Sequence, residues 1–464
     1  MSQYKPAKKH AELGAAFYDE VRPATFPQHI LRYRNQRWAE RVGLEELSDE
    51  KWVDHFGRFV PLAGTYQEPL ALRYHGHQFQ IYNPDLGDGR GFLYAQLYDD
   101  TGRLLDLGTK GSGRTPYSRG ADGRLTLKGG VRELLATEML EALGVDTSKT
   151  FSIVETGEEL ERHDEPSPTR ACVLVRLSHS HIRIGTFQRL HAMGDEASIR
   201  KLLDYCIATY ITEANDPPSF LKAVARRVAR TGAKWMAAGF VHGVLNTDNI
   251  NITGESFDYG PWRFVPTYEP NFVAAYFDQS GLYAFGRQPD VLAWNLTRLA
   301  ECLLPLGDKD DLERALNSFW TAFAEEMRLA ILDRLGLKPM GEFPDSALVT
   351  SFFQFLFDTR APYEQTIFDW RGGVPRAHRP QYRTQAFENL SKTMKDHVPQ
   401  PGANLNHPYF ARENPRTMLI EDMEALWAPI AQRDDWGPLN RALEDIAVVR
   451  EAYAKSSVRD ESTS

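Results

Sequence analysis

Cysteines, long apolar runs and an excess of positive charge are all missing or scarce in this sequence of 464 residues. Its three cysteines, Cys172, Cys206 and Cys302, lie far apart in apolar segments, which favours buried, reduced thiols over disulfides or a catalytic cysteine. No stretch is apolar over the length needed to cross a bilayer, and the first residues lack the apolar core of a signal peptide. The formal net charge of -9 argues against nucleic acid as the main partner. We therefore expect a cytoplasmic protein that binds neither membranes nor nucleic acid.

Internal repeats, low-complexity tracts and the common nucleotide-binding fingerprints are missing as well. A glycine-rich turn at 86–91 is followed neither by the Gly-Lys-Ser/Thr of a Walker A loop nor by the helix of a Rossmann fold. Hydrophobic residues make up 42% of the chain and charged residues 25%, which is ordinary for a globular protein with a substantial core. A nucleotide site, if the chain has one, must therefore be of a different kind.

The patterning changes from strands to helices along the chain, which predicts an α+β protein. Alternating segments dominate up to about residue 185, whereas helical periodicity appears from about 195, with further helices at 289–305, 311–335 and about 416–454. We predict an N-terminal extension over 1–60 packed on a strand-rich lobe at 61–185. A larger helical lobe follows at 186–454, and 455–464 forms a flexible tail.

The turn at 86–91 contains Gly87, Gly89 and Arg90 and precedes the alternating segment 92–98, a strong strand candidate. Glycines let backbone amides approach a phosphate closely, and an arginine adds a guanidinium suited to bidentate phosphate contacts. A plain β-hairpin turn is the alternative interpretation of this segment.

A lysine and a glutamate follow in an order that is typical of protein kinases. Lys110 ends the strand after the glycine turn, and Glu133 lies in the first turn of a helix predicted from about Gly130 to Gly144. In kinases such a glutamate holds the lysine against the nucleotide's phosphates. A glutamate on a solvated helix surface is the alternative.

The stretch from His242 to Gly260 carries the chemistry that the sequence shows most clearly. Its alternation of Asn and Ile around residues 249–252, followed by a Thr-Gly-Glu-Ser turn, predicts a β-hairpin. Such a hairpin would bring Asn249 and Asp258 together as oxygen ligands for Mg²⁺ or Mn²⁺ bound with a nucleotide's phosphates. A polar hairpin without a metal is the alternative.

The eight residues from His242 to Asn249 align with the kinase catalytic loop H-R-D-L-x-x-x-N, with one decisive exception. Val244 stands where a kinase has its catalytic aspartate, and it cannot accept a proton. Asp248 is the only carboxylate left inside the loop. A His-x-His at His75 and His77 has no further metal ligands at suitable spacing, which favours hydrogen-bonded histidines.

These segments together resemble the selenoprotein O family, called YdiU in bacteria. The resemblance rests on Gly-His-Gln-Phe at 76–79, the glycine turn at 82–91, Lys-Gly-Ser-Gly-Arg-Thr-Pro-Tyr-Ser-Arg-Gly at 110–120, Asp-Gly-Arg at 122–124, Val-Arg-Glu at 131–133, Ser-His-Ile-Arg at 180–183, the loop at 242–249, Asp-Tyr-Gly-Pro at 258–261, Gln-Pro at 288–289 and Trp-Asn-Leu at 294–296. It implies a protein-kinase-like two-lobed fold, with a β-rich N-lobe, a larger α-rich C-lobe and the active site in the cleft between them. It further implies that ATP binds in an inverted orientation, so that AMP is transferred to a protein hydroxyl and pyrophosphate leaves.

The resemblance also implies a role for each matching position. It implies that the nucleotide is bound by Gly87, Gly89, Arg90, Lys110, Asp122, Gly123, Glu133, Arg176, Arg183 and Asp258, with Glu133 orienting Lys110. Asn249 and Asp258 would bind the metal, and Asp248 would accept the proton. Arg176 and Arg183 would clamp the triphosphate, and Asp122 with Gly123 would bind the adenosine end. Many members carry a selenocysteine or cysteine near the C-terminus, whereas this sequence ends in Asp-Glu-Ser-Thr-Ser, so we expect no thiol switch of that kind.

The leading hypothesis is therefore a Mg²⁺- or Mn²⁺-dependent protein adenylyltransferase that modifies Ser, Thr or Tyr hydroxyls of protein substrates, with the protein itself as one candidate substrate. Transfer of UMP from UTP with Mn²⁺ is the nearest alternative. We expect an apolar pocket that selects the base by its shape, and the sequence of such a pocket does not show whether adenine or uracil is preferred. A nucleotide-binding pseudokinase scaffold is an alternative of another class, suggested by Val244. The retained Lys110, Glu133, Asn249 and Asp258 speak against it.

Overall fold

A computed structural model of the protein describes residues 3–163 and 165–455. The predicted tail lies outside these residues from 456 onwards. The strands are β1 (Pro6–Ala7), β2 (Tyr18–Glu20), β3 (Ile30–Arg34), β4 (Leu70–Leu72), β5 (Gly76–Gln78), β6 (Ile81–Asn83), β7 (Leu93–Tyr98), β8 (Leu104–Lys110), β9 (Leu125–Thr126), β10 (Lys149–Leu160), β11 (Thr169–Ser178), β12 (Phe240–Val241) and β13 (Arg263–Phe264).

The helices are α1 (Gln36–Val42), α2 (Asp49–Phe56), α3 (Leu127–Ala142), α4 (Ile184–Ala192), α5 (Glu196–Thr209), α6 (Pro217–Ala237), α7 (Gln288–Leu303), α8 (Lys309–Leu335), α9 (Glu342–Thr359), α10 (Tyr363–Asp369), α11 (Gln385–Met394), α12 (Ile420–Arg433) and α13 (Gly437–Tyr453). All but three of them follow the strand-rich half, which confirms the predicted α+β class. The sequence did not predict α9, α10 and α11, and the helix expected at about 416–454 is two helices, α12 and α13. No helix in the described ranges is both long and apolar enough to cross a membrane.

Nine strands form one antiparallel sheet, in the order β2-β4-β7-β8-β11-β10-β3, with β1 added to β7 and β9 added to β11. Three of these strands, β1, β2 and β3, come from the segment predicted as an N-terminal extension. Residues 3–60 therefore extend the sheet itself in addition to packing on it. Pairings of this kind join residues 50 or more positions apart, which local patterning does not reveal.

The sheet is covered on both faces, and its alternating side chains divide between two cores. On β11, Val173 and Val175 pack with Trp52 of α2, whereas Leu174 packs in the larger core that includes α3. Lys110 pairs with Leu174 across the sheet, and Arg176 follows Leu174 by two residues. Both basic side chains therefore belong to the face that α3 covers.

The helical half is built around α6, which packs along α8 and leads into the loop at 242–258. Asp216 caps α6 by accepting a hydrogen bond from the backbone N–H of Ser219. The predicted apolar stripe is buried and includes Leu221, Val224 and Val228. The chain leaves the helix through Gly239, whose φ of +67° lies in the left-handed region, and continues into β12. The helix thus fixes where the loop begins.

The three cysteines are free and buried, as the sequence predicts.

Candidate active site

A cleft of about 350 Å³ lies between the sheet and the loop at 242–258. Most of the residues singled out in the sequence line it, namely Gly87, Gly89, Arg90, Lys110, Arg176, Arg183, Asp248 and Asp258. The fold thus brings together groups that are up to 171 positions apart in the sequence, from Gly87 to Asp258. Their roles in nucleotide binding stay predictions.

The glycine turn forms one wall of the cleft and is held by the loop at 110–120. A Cβ atom on Gly87 would lie 2.3 Å from the ring of Tyr117, and one on Gly89 would lie 2.8 Å from the carbonyl oxygen of the same residue. The hydroxyl of Ser118 donates a hydrogen bond of 2.5 Å to the carbonyl of Gly89. Both glycines are required because no side chain fits between the two loops.

Lys110 and Glu133 form the buried ion pair that their order predicts. The ammonium nitrogen of Lys110 lies 2.7 Å from Oε2 of Glu133, and the two side chains are 7% and 1% exposed. The same ammonium lies 2.9 Å from Oδ1 of Asp258. One lysine therefore joins the sheet, α3 and the loop at 242–258.

Asp258 is the anionic centre of the cleft. Its Oδ1 accepts a hydrogen bond of 3.1 Å from Nη1 of Arg176 in addition to the contact with Lys110. Burial opposes ionisation of this carboxyl, but Lys110, Arg176 and Arg183 outweigh it and hold its pKa well below the usual range. Asp258 has a φ of +63°, a strained conformation for a residue with a side chain. The surrounding contacts must therefore impose this backbone geometry.

Arg183 is 1% exposed and lines the cleft with a further guanidinium. Its guanidinium carbon lies 4.1 Å from the ring centre of Tyr74, and Nη1 donates to the carbonyl oxygen of Asp248 at 3.2 Å. Nη2 has no hydrogen-bond partner in the described part of the chain, although Oδ1 of Asp88 lies 3.6 Å away. A buried donor without a partner is suited to an anionic ligand.

Asp248 is 8% exposed, and its Oδ1 has no hydrogen-bond partner within residues 3–163 and 165–455. Burial raises the pKa of this carboxyl to about 6, and the nearby Arg183 limits the rise. Such a carboxyl can accept a proton near neutral pH, which is what a general base requires.

The short hairpin of β5 and β6 holds the loop that carries Asp248. Its turn residues Phe79 and Gln80 both have positive φ, as a two-residue type I′ turn requires. The backbone N–H of His77 donates to the hydroxyl of Thr247 at 2.7 Å, and that of Phe79 donates to Oδ1 of Asn246 at 3.1 Å. The segment that contains the Gly-His-Gln-Phe motif therefore positions this loop, a role that the sequence did not indicate.

Helix α7 supports the same loop from the other side. Oε1 of Gln288 accepts from the backbone N–H of His242 at 3.0 Å, and Nδ2 of Asn295 donates to the carbonyl of Leu245 at 2.9 Å. The motifs at 288–289 and 294–296 are thus positioning elements for the loop, a function that only the long-range contact reveals.

The predicted histidine environment is confirmed. Nδ1 of His75 lies 2.6 Å from the hydroxyl of Tyr82, and Nδ1 of His77 lies 2.7 Å from Nε2 of Gln188. Both histidines are hydrogen-bonded, and the described residues contain no group of three or more His, Cys, Asp or Glu placed to hold a metal.

The predicted hairpin over 249–258 is wrong. Oδ1 of Asn251 accepts hydrogen bonds from the backbone N–H and the hydroxyl of Thr253, at 3.1 and 3.0 Å, which makes a side-chain turn. Asn251 pairs with Arg183, and Ser256 pairs with Thr147, as isolated bridges. The two sides of the predicted hairpin therefore pair with other segments and not with each other.

The arrangement of the predicted metal ligands differs accordingly. Nδ2 of Asn249 donates to the carbonyl of Val244 at 3.0 Å, which turns its amide oxygen away from that carbonyl. Of the described residues, Asp258 lines the cleft and Asn249 does not. An ionised carboxylate and an amide oxygen are nevertheless the hard donors that Mg²⁺ and Mn²⁺ take, so the residue types fit such an ion.

Asp122 and Gly123 lie beyond the cleft lining. Asp122 is held by Arg162 at 2.8 Å and by the backbone N–H of Arg124 at 2.9 Å. Gly123 has a φ of +72°, and a Cβ there would meet the backbone of Gly113 at 2.3 Å. The structure therefore shows a turn packed on the loop at 110–120, and a contact with the adenosine end stays a prediction.

A second groove of about 440 Å³ adjoins the cleft, and Arg90 and Lys110 line both. Its basic residues are Arg90, Lys110, Arg124, Lys128, Arg132, Arg162 and Arg263. Burial lowers the pKa of Arg132 to about 10, and Arg263 repels it. The groove is therefore an electropositive continuation of the cleft in a chain of net negative charge.

The cleft has the arrangement expected of a kinase-like fold: a strand lysine paired with a helix glutamate lies next to a loop that carries Asp248 and Asn249, with Val244 at the position of the kinase base. A family model described as Protein adenylyltransferase SelO matches residues 1–447. The chain belongs to this family, which confirms the resemblance inferred from the sequence.

Curated relatives match over nearly the whole chain. A protein of Synechocystis sp. is 44% identical over 96% of this chain and 97% of its own length, and one of Trichodesmium erythraeum is 43% identical over 96% and 98%. A more distant relative from Cereibacter sphaeroides is 38% identical over 93% and 91%. All three carry the name protein nucleotidyltransferase YdiU. Nucleotidyl transfer is therefore the reaction class of the proteins that this chain resembles.

Among solved structures, a rhoptry antigen kinase domain of Toxoplasma gondii matches 62% of this chain and 83% of that chain, with a TM-score of 0.26 and 10% identity. This likeness is too weak to support a conclusion about the site.

Proposed function

We propose that the protein transfers AMP from ATP to Ser, Thr or Tyr hydroxyls of protein substrates and releases pyrophosphate. The observation that carries this proposal is that one cleft holds both a cluster of buried cations and a buried carboxyl whose Oδ1 has no hydrogen-bond partner among the described residues. Lys110, Arg176 and Arg183 supply the cations, and Asp248 supplies the carboxyl.

The cations suit the triphosphate of the nucleotide. The cleft is lined by five basic side chains, Arg90, Lys110, Arg119, Arg176 and Arg183, and by three carboxyls, Asp88, Asp248 and Asp258. Glu133, which pairs with Lys110, is a fourth acidic group, so a small excess of basic groups remains. Preorganised charge of this kind stabilises both the bound triphosphate and the negative charge that develops on leaving pyrophosphate. The glycine turn adds backbone groups close to the same space.

Asp248 would accept the proton of the attacking hydroxyl. In this step the hydroxyl oxygen forms a bond to the α-phosphorus, the bond from that phosphorus to the bridging oxygen breaks, and pyrophosphate leaves with the electron pair. Because Val244 occupies the position of the kinase base, an acceptor hydroxyl must find its base elsewhere, and Asp248 is the carboxyl that the loop offers.

A divalent cation, Mg²⁺ or Mn²⁺, would be held by Asp258 and Asn249. When bound, it would neutralise phosphate charge and help to align the triphosphate. Because these two residues would supply two oxygen ligands, phosphate oxygens and water would complete the coordination, as is usual for Mg²⁺.

UTP is the second candidate donor, since the curated relatives are named for nucleotidyl transfer without a stated base. Intact mass after incubation of the purified protein with ATP or UTP, each with Mg²⁺ or Mn²⁺, separates the candidates. We expect a shift equal to one AMP on the protein or on added protein acceptors. A shift of one UMP with UTP alone would reassign the donor, and a shift of one phosphate would overturn the proposal. Binding of both nucleotides without any covalent product would favour the alternative that the protein is a nucleotide-binding pseudokinase scaffold.

A further inference from the structure

A row of buried polar side chains runs from the interior of the sheet to the cleft. It consists of Gln96 on β7, Asp106 on β8, His181 after β11 and Arg176 on β11 itself. All four are at most 6% exposed. Buried polar groups of this kind are stable only when each hydrogen bond is satisfied, so their orientations are strongly constrained.

The first members of the row have one permitted orientation. Oε1 of Gln96 accepts from the backbone N–H of His10 at 2.8 Å and from the hydroxyl of Tyr66 at 2.6 Å. Its amide nitrogen therefore faces Asp106 and donates to Oδ1 at 2.7 Å. The second oxygen of Asp106 accepts from the backbone N–H of His181 at 2.8 Å.

This arrangement selects the tautomer of His181. Oδ2 of Asp106 also lies 3.3 Å from Nδ1 of the imidazole, so Nδ1 carries the proton as the donor to this carboxylate. Nε2 is then a bare acceptor, and Nε of Arg176 donates to it at 3.2 Å. Burial lowers the pKa of His181 against the effect of Asp106, which keeps the ring neutral as this geometry requires.

Gly108 provides the space for the ring. It pairs directly with Arg176 in the register between β8 and β11. A Cβ atom at this position would lie 2.3 Å from Nε2 of His181. Any side chain here would therefore displace the imidazole from Arg176. The glycine, the histidine and the arginine fit together as one unit.

We propose that Asp106 and His181 are positioning residues that orient the guanidinium of Arg176 toward the triphosphate. Nε is fixed by His181 at 3.2 Å and Nη1 by Asp258 at 3.1 Å, so two of the three guanidinium nitrogens have defined partners. The orientation of the planar guanidinium is then set before a nucleotide binds, which lowers the entropic cost of binding. This inference rests on the proposed function, because it assumes that a nucleoside triphosphate occupies the cleft.

Two substitutions at His181 test it. His181→Phe keeps a ring and removes the acceptor, whereas His181→Gln keeps an acceptor at nearly the same distance. A hydrogen bond to a charged group corresponds to about a 10- to 100-fold effect on affinity. We expect His181→Phe to weaken ATP binding by that factor and AMP binding much less, and His181→Gln to restore most of the ATP affinity. Calorimetry with ATP and with AMP, each with Mg²⁺, measures both.

A double-mutant comparison separates positioning from a merely structural role. If His181 acts through Arg176, His181→Phe should cause no further loss of ATP affinity in an Arg176→Lys background. Additive losses, or equal losses for ATP and AMP, would overturn the proposal, as would an unchanged ATP affinity. If His181→Phe does not fold, Gly108→Ala provides the same test by displacing the ring. Wild-type protein that binds neither ATP nor UTP would overturn the proposed function, and this inference with it.

Discussion

The ammonium nitrogen of Lys110 lies 2.9 Å from Oδ1 of Asp258. Lys110, the last residue of β8, is thus joined directly to the loop at 242–258. Glu133 and Arg176 complete this ion-pair cluster from α3 and β11. Because the four groups come from separate elements, a change at one of them alters the charge balance felt by the other three.

Asp258→Ala should abolish nucleotidyl transfer. The change removes the ionised carboxylate that holds Lys110 and Arg176 and that would bind the cation, so we expect a loss of at least about 100-fold. Intact-mass detection of the labelled product gives the rate. Asp204→Ala, at an exposed position on α5 outside the cleft lining, is a comparison variant that should stay active. Full activity of Asp258→Ala would remove Asp258 from the site.

Glu133→Gln should lower activity by about 10-fold or more, because Lys110 loses the partner that holds its ammonium in place. The cost in the free energy of unfolding should be about 1 to 3 kcal/mol, since a buried charge-assisted hydrogen bond is lost. Glu141→Gln is the matched control: it lies on the same helix and pairs with Arg37 away from the cleft. We expect it to lower stability without lowering activity. Equal activity losses in both variants would mean that the effect of Glu133 is only on folding.

The order of elements made the Lys110–Glu133 pair predictable, because a lysine at a strand end followed by a glutamate in a helix is visible in sequence. The hairpin at 249–258 was predicted wrongly because the alternation of Asn and Ile imitates a strand, whereas Asn251 is as buried as Ile250 and Ile252 and bonds Thr253 within a turn. Positive φ at Asp258 and the pairing of β3 with β10 depend on tertiary contacts that no local pattern encodes.

Helix α9 was missed for a different reason. Its residues from 347 to 357 are largely apolar, with phenylalanines at adjacent positions, so no single face stands out. The role of Gln288 and Asn295 was equally hidden, because their partners are backbone groups about 50 positions earlier in the chain. The sequence thus predicted the charged side chains of the cleft, such as Lys110 and Glu133, better than the polar side chains that hold the loop at 242–258.

Asp248→Asn should slow transfer by about 100- to 10,000-fold while ATP affinity changes little. The amide is isosteric but cannot accept the proton of the attacking hydroxyl. Stability should not fall, because Oδ1 of Asp248 has no hydrogen-bond partner in the described ranges and would be replaced by a neutral group. Parallel measurement of the transfer rate and of the ATP dissociation constant checks both expectations. A variant that keeps the wild-type rate would show that another group accepts the proton.

The stability of the protein should fall as the pH drops from about 6.5 to about 4. His10 is 2% exposed, and neither ring nitrogen has a hydrogen-bond partner within the described residues. Burial lowers its pKa from 6.5 to about 4, and that of His179 to about 4 as well. Because the unfolded chain binds these protons at higher pH than the folded chain does, acid favours unfolding across this window.

His10→Phe isolates one of these two contributions. The phenyl ring fills a similar space beside Tyr18 and Tyr205 and needs no hydrogen bond. The lowering of the pKa of His10 from 6.5 to about 4 corresponds to about 3 kcal/mol in the free energy of unfolding at the acid end of this pH range. The variant should therefore lose less stability than the wild type between pH 6.5 and 4. Urea unfolding at several pH values measures the difference. His191→Phe, at an exposed histidine on α4, should leave the pH dependence unchanged. Parallel curves for His10→Phe and the wild type would show that His10 is not the group whose protonation destabilises the fold.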